Sequence, residues 1–147
     1  MNHDAQAVLD FWFGVPGSPE HGSDRPEWFR KDAGFDARIR ERFGALISAV
    51  LGGARFGAAP QETLAAIVVL DQFTRNVHRD TPLAFAGDAQ ALGLAQAMTA
   101  RGADHGLPVL QRSFVYLPFE HAEDPALQDR SVRCFEALAA SAPAMRD

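Results

Sequence analysis

The chain has 147 residues, close to half of them apolar, a formal charge of −5 and a single cysteine. That length fits one domain, 1–147, able to bury roughly 70% of the surface its unfolded form exposes. The acidic balance argues against a nucleic-acid partner, which needs clustered Lys and Arg, and Cys134 has no second cysteine to bridge. The N-terminus carries Asp4 ahead of a short apolar patch broken by Asp10, unlike a signal peptide, and no apolar run approaches the about 20 residues that cross a bilayer. A cytoplasmic protein with no membrane partner is expected.

Helical spacing runs through nearly the whole chain. Val8, Leu9, Trp12 and Phe13 make the inner side of a short helix that stops at Gly14. Val15 to Pro26, with Pro16, Gly17, Pro19 and Gly22, reads as one long loop, either functional or a plain connection, and Trp28-Phe29 is expected to fold it back onto the core. Phe35, Ile39, Phe43, Leu46, Ile47 and Val50 then form the stripe of a surface helix ended by Gly52-Gly53.

Pro60 and Pro82 each suit the first turn of a helix, with Thr81 as N-cap of the second. The alanine-rich stretch from Pro82 to Arg101 turns Leu92, Ala95 and Met98 to one side and ends at Gly102. A further helix spans about Leu107 to Glu123, with Pro118 expected to kink or split it. The last runs from Pro125 to about Ala140, with Leu127, Val132, Phe135 and Leu138 inward and Cys134 packed among them rather than acting as a nucleophile. Leu64, Val69 and Phe73 match Leu110, Val115 and Phe119 at a constant offset, a spacing that suits stacked antiparallel hairpins.

Two segments bring polar groups to the edge of this core: Leu70-Asp-Gln-Phe-Thr-Arg-Asn76 and Tyr116-Leu-Pro-Phe-Glu-His121. On an ideal helix Asp71, Gln72, Arg75, Asn76, His78 and Arg79 share one arc of roughly 160°. Asp71 and Arg75 form an i,i+4 pair, and the arc reads either as a structural pair at a capped helix end or as a pocket. In the pocket reading Arg75, Asn76 and Arg79 receive an anionic or amide-bearing ligand.

In the second segment Glu120, His121, Glu123 and Asp124 cluster, residue types suited to acid–base work or a divalent metal. No His-Glu-x-x-His spacing is present, so no metal is assigned. Arg112, Tyr116 and Glu120 stack at four-residue intervals and are expected to approach Asp71 and Arg75 across a helix pair. The candidate ligand-binding set is therefore Asp71, Arg75, Asn76, Arg79, Tyr116, Glu120 and His121.

Leu9-Asp-Phe-Trp-Phe-Gly14, Trp28-Phe29, Phe35-Asp36 with Ile39-Arg40 and Phe43, Leu70-Asp-Gln-Phe with Arg75-Asn76, and Tyr116 to His121, in that order, resemble the bacterial DUF924 family, a domain of unknown function. The resemblance spans about Val8 to Leu138 and implies an all-α fold of antiparallel helical hairpins in a tetratricopeptide-like array, with about six to eight helices including short ones. Thr74 stands where the family has proline, which implies a less bent helix, and Ala122 replaces a serine. The family also continues into a basic, histidine-containing segment beyond the last helix.

No nucleophile motif or phosphate loop appears, so the leading expectation is a binding module without a cofactor. It takes a small polar molecule or a peptide in the groove between the two central helices. The alternatives are a hydrolase using Glu120 or His121 as base with Arg75 as anion stabiliser, and a structural interaction domain. Trp12, Trp28 and Phe29 are as able to cover a second copy of the chain as their own core, so a homo-oligomer is an open expectation.

Overall fold

The computed structural model describes residues 1–141. Within them the elements are α1 (His3–Phe13), α2 (Ala33–Leu51), α3 (Pro60–Ile67), a π-helical segment (Val68–Phe73), α4 (Thr74–Val77), α5 (Asp88–Ala100), α6 (Val109–His121) and α7 (Pro125–Ser141). Short 3₁₀ turns lie at Pro26–Trp28, Pro82–Phe85 and Ala103–Gly106. There is no strand among the described residues.

The α3, π and α4 pieces follow one another without a break and form the axis of the fold. Every residue from Thr63 to Asp71 is buried, as a helix with apolar side chains all round must be. Helix α3 touches α1, α5 and α6, and α5 packs on α6 and α6 on α7, while α2 lies along the π segment and α4. The hairpin α6–α7 closes through Ala122 to Asp124, where Asp124 Oδ1 accepts the Ala126 N–H at 2.9 Å and caps α7.

Local signals explain the other ends. Asn2 accepts the N–H groups of Asp4 and Ala5 to start α1, and Asp32 accepts the Phe35 N–H at 3.0 Å to start α2. That bond, before its neighbouring arginines, holds the Asp32 carboxyl below its usual range. Gly14 ends α1 at φ 90°, where a Cβ would come within 2.9 Å of Glu20 Cβ and the His21 backbone nitrogen, so glycine is demanded twice over.

The long loop is tied down by aromatic packing. Trp28 stacks on Trp12 with centroids 6.0 Å apart and donates its indole N–H to the Trp12 carbonyl at 3.0 Å. Arg25 Nη1 donates to the Phe11 carbonyl at 2.6 Å. Phe29, expected to fold back onto the core with Trp28, touches the Trp28 ring edge-on at 5.9 Å but stands 74% exposed.

Two expectations from the sequence are corrected and one is narrowed. Pro82 opens the 3₁₀ turn rather than the long helix, which begins at Asp88, because Gly87 must first bring the chain against the axis. Pro118 lies inside α6 without splitting it. In α7 the inward stripe is Leu127, Ser131, Phe135 and Leu138, while Val132 is exposed: Val132 lies one residue off the i, i+4 row that faces α6.

Candidate functional site

The site begins with the backbone of the π segment. The Thr74 N–H reaches back to the Val69 carbonyl, leaving the Leu70 carbonyl without its α-helical partner, and the Thr74 hydroxyl fills that vacancy at 2.8 Å. The polar arc of roughly 160° is wide enough to meet two neighbours, and it divides between them. Asp71, Gln72 and Arg75 turn toward α5 and α6; Asn76 and Arg79 turn toward α2.

On the first side Asp71, 1% exposed, is the hub. Its Oδ1 lies 2.8 Å from His121 Nδ1 and 3.2 Å from Arg75 Nη1, and its Oδ2 accepts Gln72 Nε2 at 2.7 Å. Arg75 is further held by Asp88, with Nη1 to Oδ1 at 2.7 Å and Nη2 to Oδ2 at 3.0 Å, a bidentate fork. Arg75 also donates to the Asp71 carbonyl at 2.7 Å and lies over the Phe85 ring. Asp88 reaches this position because Gly87 has no side chain: a Cβ there would sit 2.2 Å from the Leu70 carbonyl oxygen.

Two clefts meet at this cluster, and Arg75 and His121 line both. One, of about 640 Å³, is walled by Phe85, Leu92, Pro118 and Leu127 and carries Asp88, Glu123 and Asp124. The other, of about 380 Å³, is walled by Trp28, Phe29, Phe114, Leu117 and Phe135, with Gln72 among its polar groups. Apolar walls with a few convergent polar groups are the usual make-up of a small-molecule site.

The other candidates lie elsewhere. Asn76 Nδ2 donates to Asp36 Oδ1 at 2.8 Å, and Arg79 grips the same carboxylate through Nε at 2.9 Å and Nη2 at 3.1 Å. This pair locks α4 to α2, and the hydrogen bond to Asp36 holds the Arg79 proton more firmly than usual. Tyr116 faces away from Asp71, donating its hydroxyl to Asp104 Oδ2 at 2.5 Å and accepting from Arg112 Nε at 2.6 Å. Glu120 is exposed and lines a surface groove with α7 residues.

The expected stack of Arg112, Tyr116 and Glu120 beside Asp71 and Arg75 therefore does not form. The face of α6 that meets the axis is instead the one carrying His121. Arg75 and Arg79, the arginines of the expected anion-receiving pocket, are both engaged by carboxylates. Asp88 and Asp104 enter only with the structure. A first-turn acid two turns past Pro82 is visible in the sequence, but its meaning depends on the helix starting at Asp88 rather than at Pro82.

Among the described residues no group of His, Cys, Asp and Glu side chains is arranged to hold a metal ion. None of their helices is long and apolar enough to cross a membrane.

The fold and this buried cluster define an all-helical protein built around one distorted central helix. The chain belongs to a family described as bacterial protein of unknown function (DUF924), whose pattern matches residues 8–147. It is similar to the solved structure of a protein of unknown function, ATU0120 from Agrobacterium tumefaciens, at 32% identity and a TM-score of 0.71, covering 97% of this chain and 80% of that one. A comparison with curated proteins finds no match.

Proposed function

We propose that this protein is a tetratricopeptide-like binding module that takes a small polar molecule or a peptide end at the ridge where Arg75 and His121 separate two clefts. The observation that carries this reading is that one pair of side chains lines both clefts, held by the buried Asp71 and, for Arg75, by Asp88 on the wall of the larger cleft. Preorganised polar groups between apolar walls reduce the ordering cost of binding.

The charge pattern selects the ligand's sign. Arg75 is already engaged by two carboxylates, and the larger cleft adds Glu123 and Asp124. A ligand bearing an amine or N–H donors suits this lobe, and an apolar or planar portion suits the lobe walled by Trp28, Phe29, Phe114 and Phe135. Nucleic acid is not the partner in this reading.

Phenethylamine and phenylacetate make a matched pair of probes. The amine should raise the thermal midpoint saturably and the acid should not, and His121→Ala should abolish the amine's effect. Equal responses to both probes, or an undiminished response in His121→Ala, would sink the reading.

A second reading rests on the Asp71–His121 contact, which engages Nδ1 and leaves Nε2 as the ring nitrogen available for proton transfer. In that case His121 is a general base oriented by Asp71 in place of Glu120. Ser113 shares a cleft with His121 but lies two turns away on the same helix, about 12 Å of rise, too far to serve as nucleophile. Ester hydrolysis that exceeds free imidazole and vanishes in His121→Ala would favour catalysis over binding.

A further inference from the structure

A third cleft opens on the opposite side of α6, between α7 and the 3₁₀ turn Ala103–Gly106, with a volume of about 360 Å³. Arg112, Arg130 and Arg133 all line it, together with Thr99, His105 and Tyr116. In a chain of net charge −5 such convergence of guanidiniums concentrates positive potential in one place.

These arginines differ from Arg75 and Arg79 in what holds them. Arg130 Nη2 donates to the Thr99 hydroxyl at 3.0 Å, and its guanidinium lies over the Phe119 ring. Both partners are neutral. Arg112 is buried and directs Nε to Tyr116 and Nη2 to His105 Nδ1 at 3.2 Å, which leaves Nη1 uncommitted among the described residues.

Among the described residues Asp104 is the one carboxylate in the cleft lining. It is 3% exposed, its Oδ2 takes the Tyr116 hydroxyl and lies 3.8 Å from Arg112 Nε. It therefore offsets Arg112 and fixes that side chain's orientation. Arg130 and the exposed Arg133 have no carboxylate within ion-pair distance among the described residues.

We infer that this cleft is an oxyanion site, in which Arg130 and Arg133 grip a phosphate-sized group from the rim and Arg112 Nη1 meets it from the buried wall. Planar guanidinium forks match the oxygens of such a group. The volume exceeds that of a bare phosphate, so the group arrives either as a free anion or at the end of a small organic molecule. Asp104 and Tyr116 are positioning residues here, acting through Arg112.

The test is calorimetric titration of the full chain with inorganic phosphate and with phenyl phosphate, at constant ionic strength because screening alone weakens such contacts. Saturable binding is expected, weakened about tenfold or more in Arg130→Gln/Arg133→Gln, the loss that charge-assisted hydrogen bonds of this kind imply. Arg133→Glu, altered only at an exposed position, should lose binding with an unchanged melting temperature. His121→Ala should bind phosphate as the wild type does, which separates this site from the central one. Tighter binding of phenyl phosphate identifies an esterified group, and equal binding a free anion. The inference fails if neither probe saturates, or if Arg133→Glu binds as tightly as the wild type.

Discussion

His121 Nδ1 and Asp71 Oδ1 lie 2.8 Å apart across 50 residues of sequence, joining the C-terminal turn of α6 to the π segment of the central helix. The contact joins the end of one helix to the interior of another, and Asp71 is the member sealed from solvent. It is buried while His121 keeps 26% of its side chain exposed. One residue therefore carries the structural cost of the pair, and the other faces whatever enters the clefts.

Asp71→Ala should then destabilise the fold by about 3 kcal/mol, since Arg75 and His121 lose a buried counter-group. Asp71→Asn keeps the shape and should cost less, about 1–2 kcal/mol. His121→Ala should change stability by under about 1 kcal/mol while removing ligand response. Urea unfolding of the three variants checks the order; a His121→Ala loss as large as that of Asp71→Ala would make the pair purely structural.

Gly87 and Gly93 offer a matched test of packing against propensity. An alanine at Gly87 places its Cβ 2.2 Å from the Leu70 carbonyl oxygen, and the clash is with backbone that cannot turn aside. Gly87→Ala should cost about 2–3 kcal/mol and pull Asp88 away from Arg75. Gly93 lies mid-helix in α5, and a Cβ added there would have nothing within 4 Å, so Gly93→Ala should stabilise by about 0.5–1 kcal/mol. Thermal melts of both variants read the opposite signs directly.

Glu120→Gln separates the present site from the one read off helical spacing. Glu120 is exposed on the α7 side of α6, so the substitution should move stability by no more than about 0.5 kcal/mol and leave probe binding at Arg75 and His121 untouched. A clear loss of either property, measured by melting or titration, would return Glu120 to the site.

What the sequence conveyed and what it withheld follow from the range of the signals. The apolar rows in α1 and α2, the buried run from Leu64 to Leu70 and the glycine stop at Gly14 are local patterns, and they place these helices correctly. The Asp71–Arg75 pair is legible for the same reason, being an i,i+4 relation. The π segment is not, since what accompanies it is a Thr74 hydroxyl on the Leu70 carbonyl and a distant backbone packed close at Gly87, neither of which a spacing pattern marks. An ideal-helix arc does not say which neighbour each of its residues meets, and Asn76 and Arg79 turn to Asp36 of α2. The partners Asp36, Asp88 and Asp104 come from other elements, and no spacing rule reaches them.

Tyr116 is the chain's one tyrosine, which makes its ionisation directly observable. Burial, then the hydrogen bond to Asp104, pushes its hydroxyl well above the usual phenol range, against a smaller opposing pull from Arg112. In the unfolded chain the phenol ionises near pH 10, so above that pH the unfolded state sheds its proton while the folded state keeps it. The unfolded state then binds fewer protons, and stability must fall as pH rises from about 10 toward the folded value; below about pH 10 this contribution is fully present. Tyrosinate absorbance should accordingly appear together with unfolding rather than before it. Tyr116→Phe should lower stability by about 1–3 kcal/mol near neutrality, since Asp104 and Arg112 lose a buried partner, and should flatten the alkaline limb of the stability profile. A normal phenol titration in the folded wild type, or an alkaline limb as steep in Tyr116→Phe, would contradict the buried Asp104–Tyr116–Arg112 arrangement.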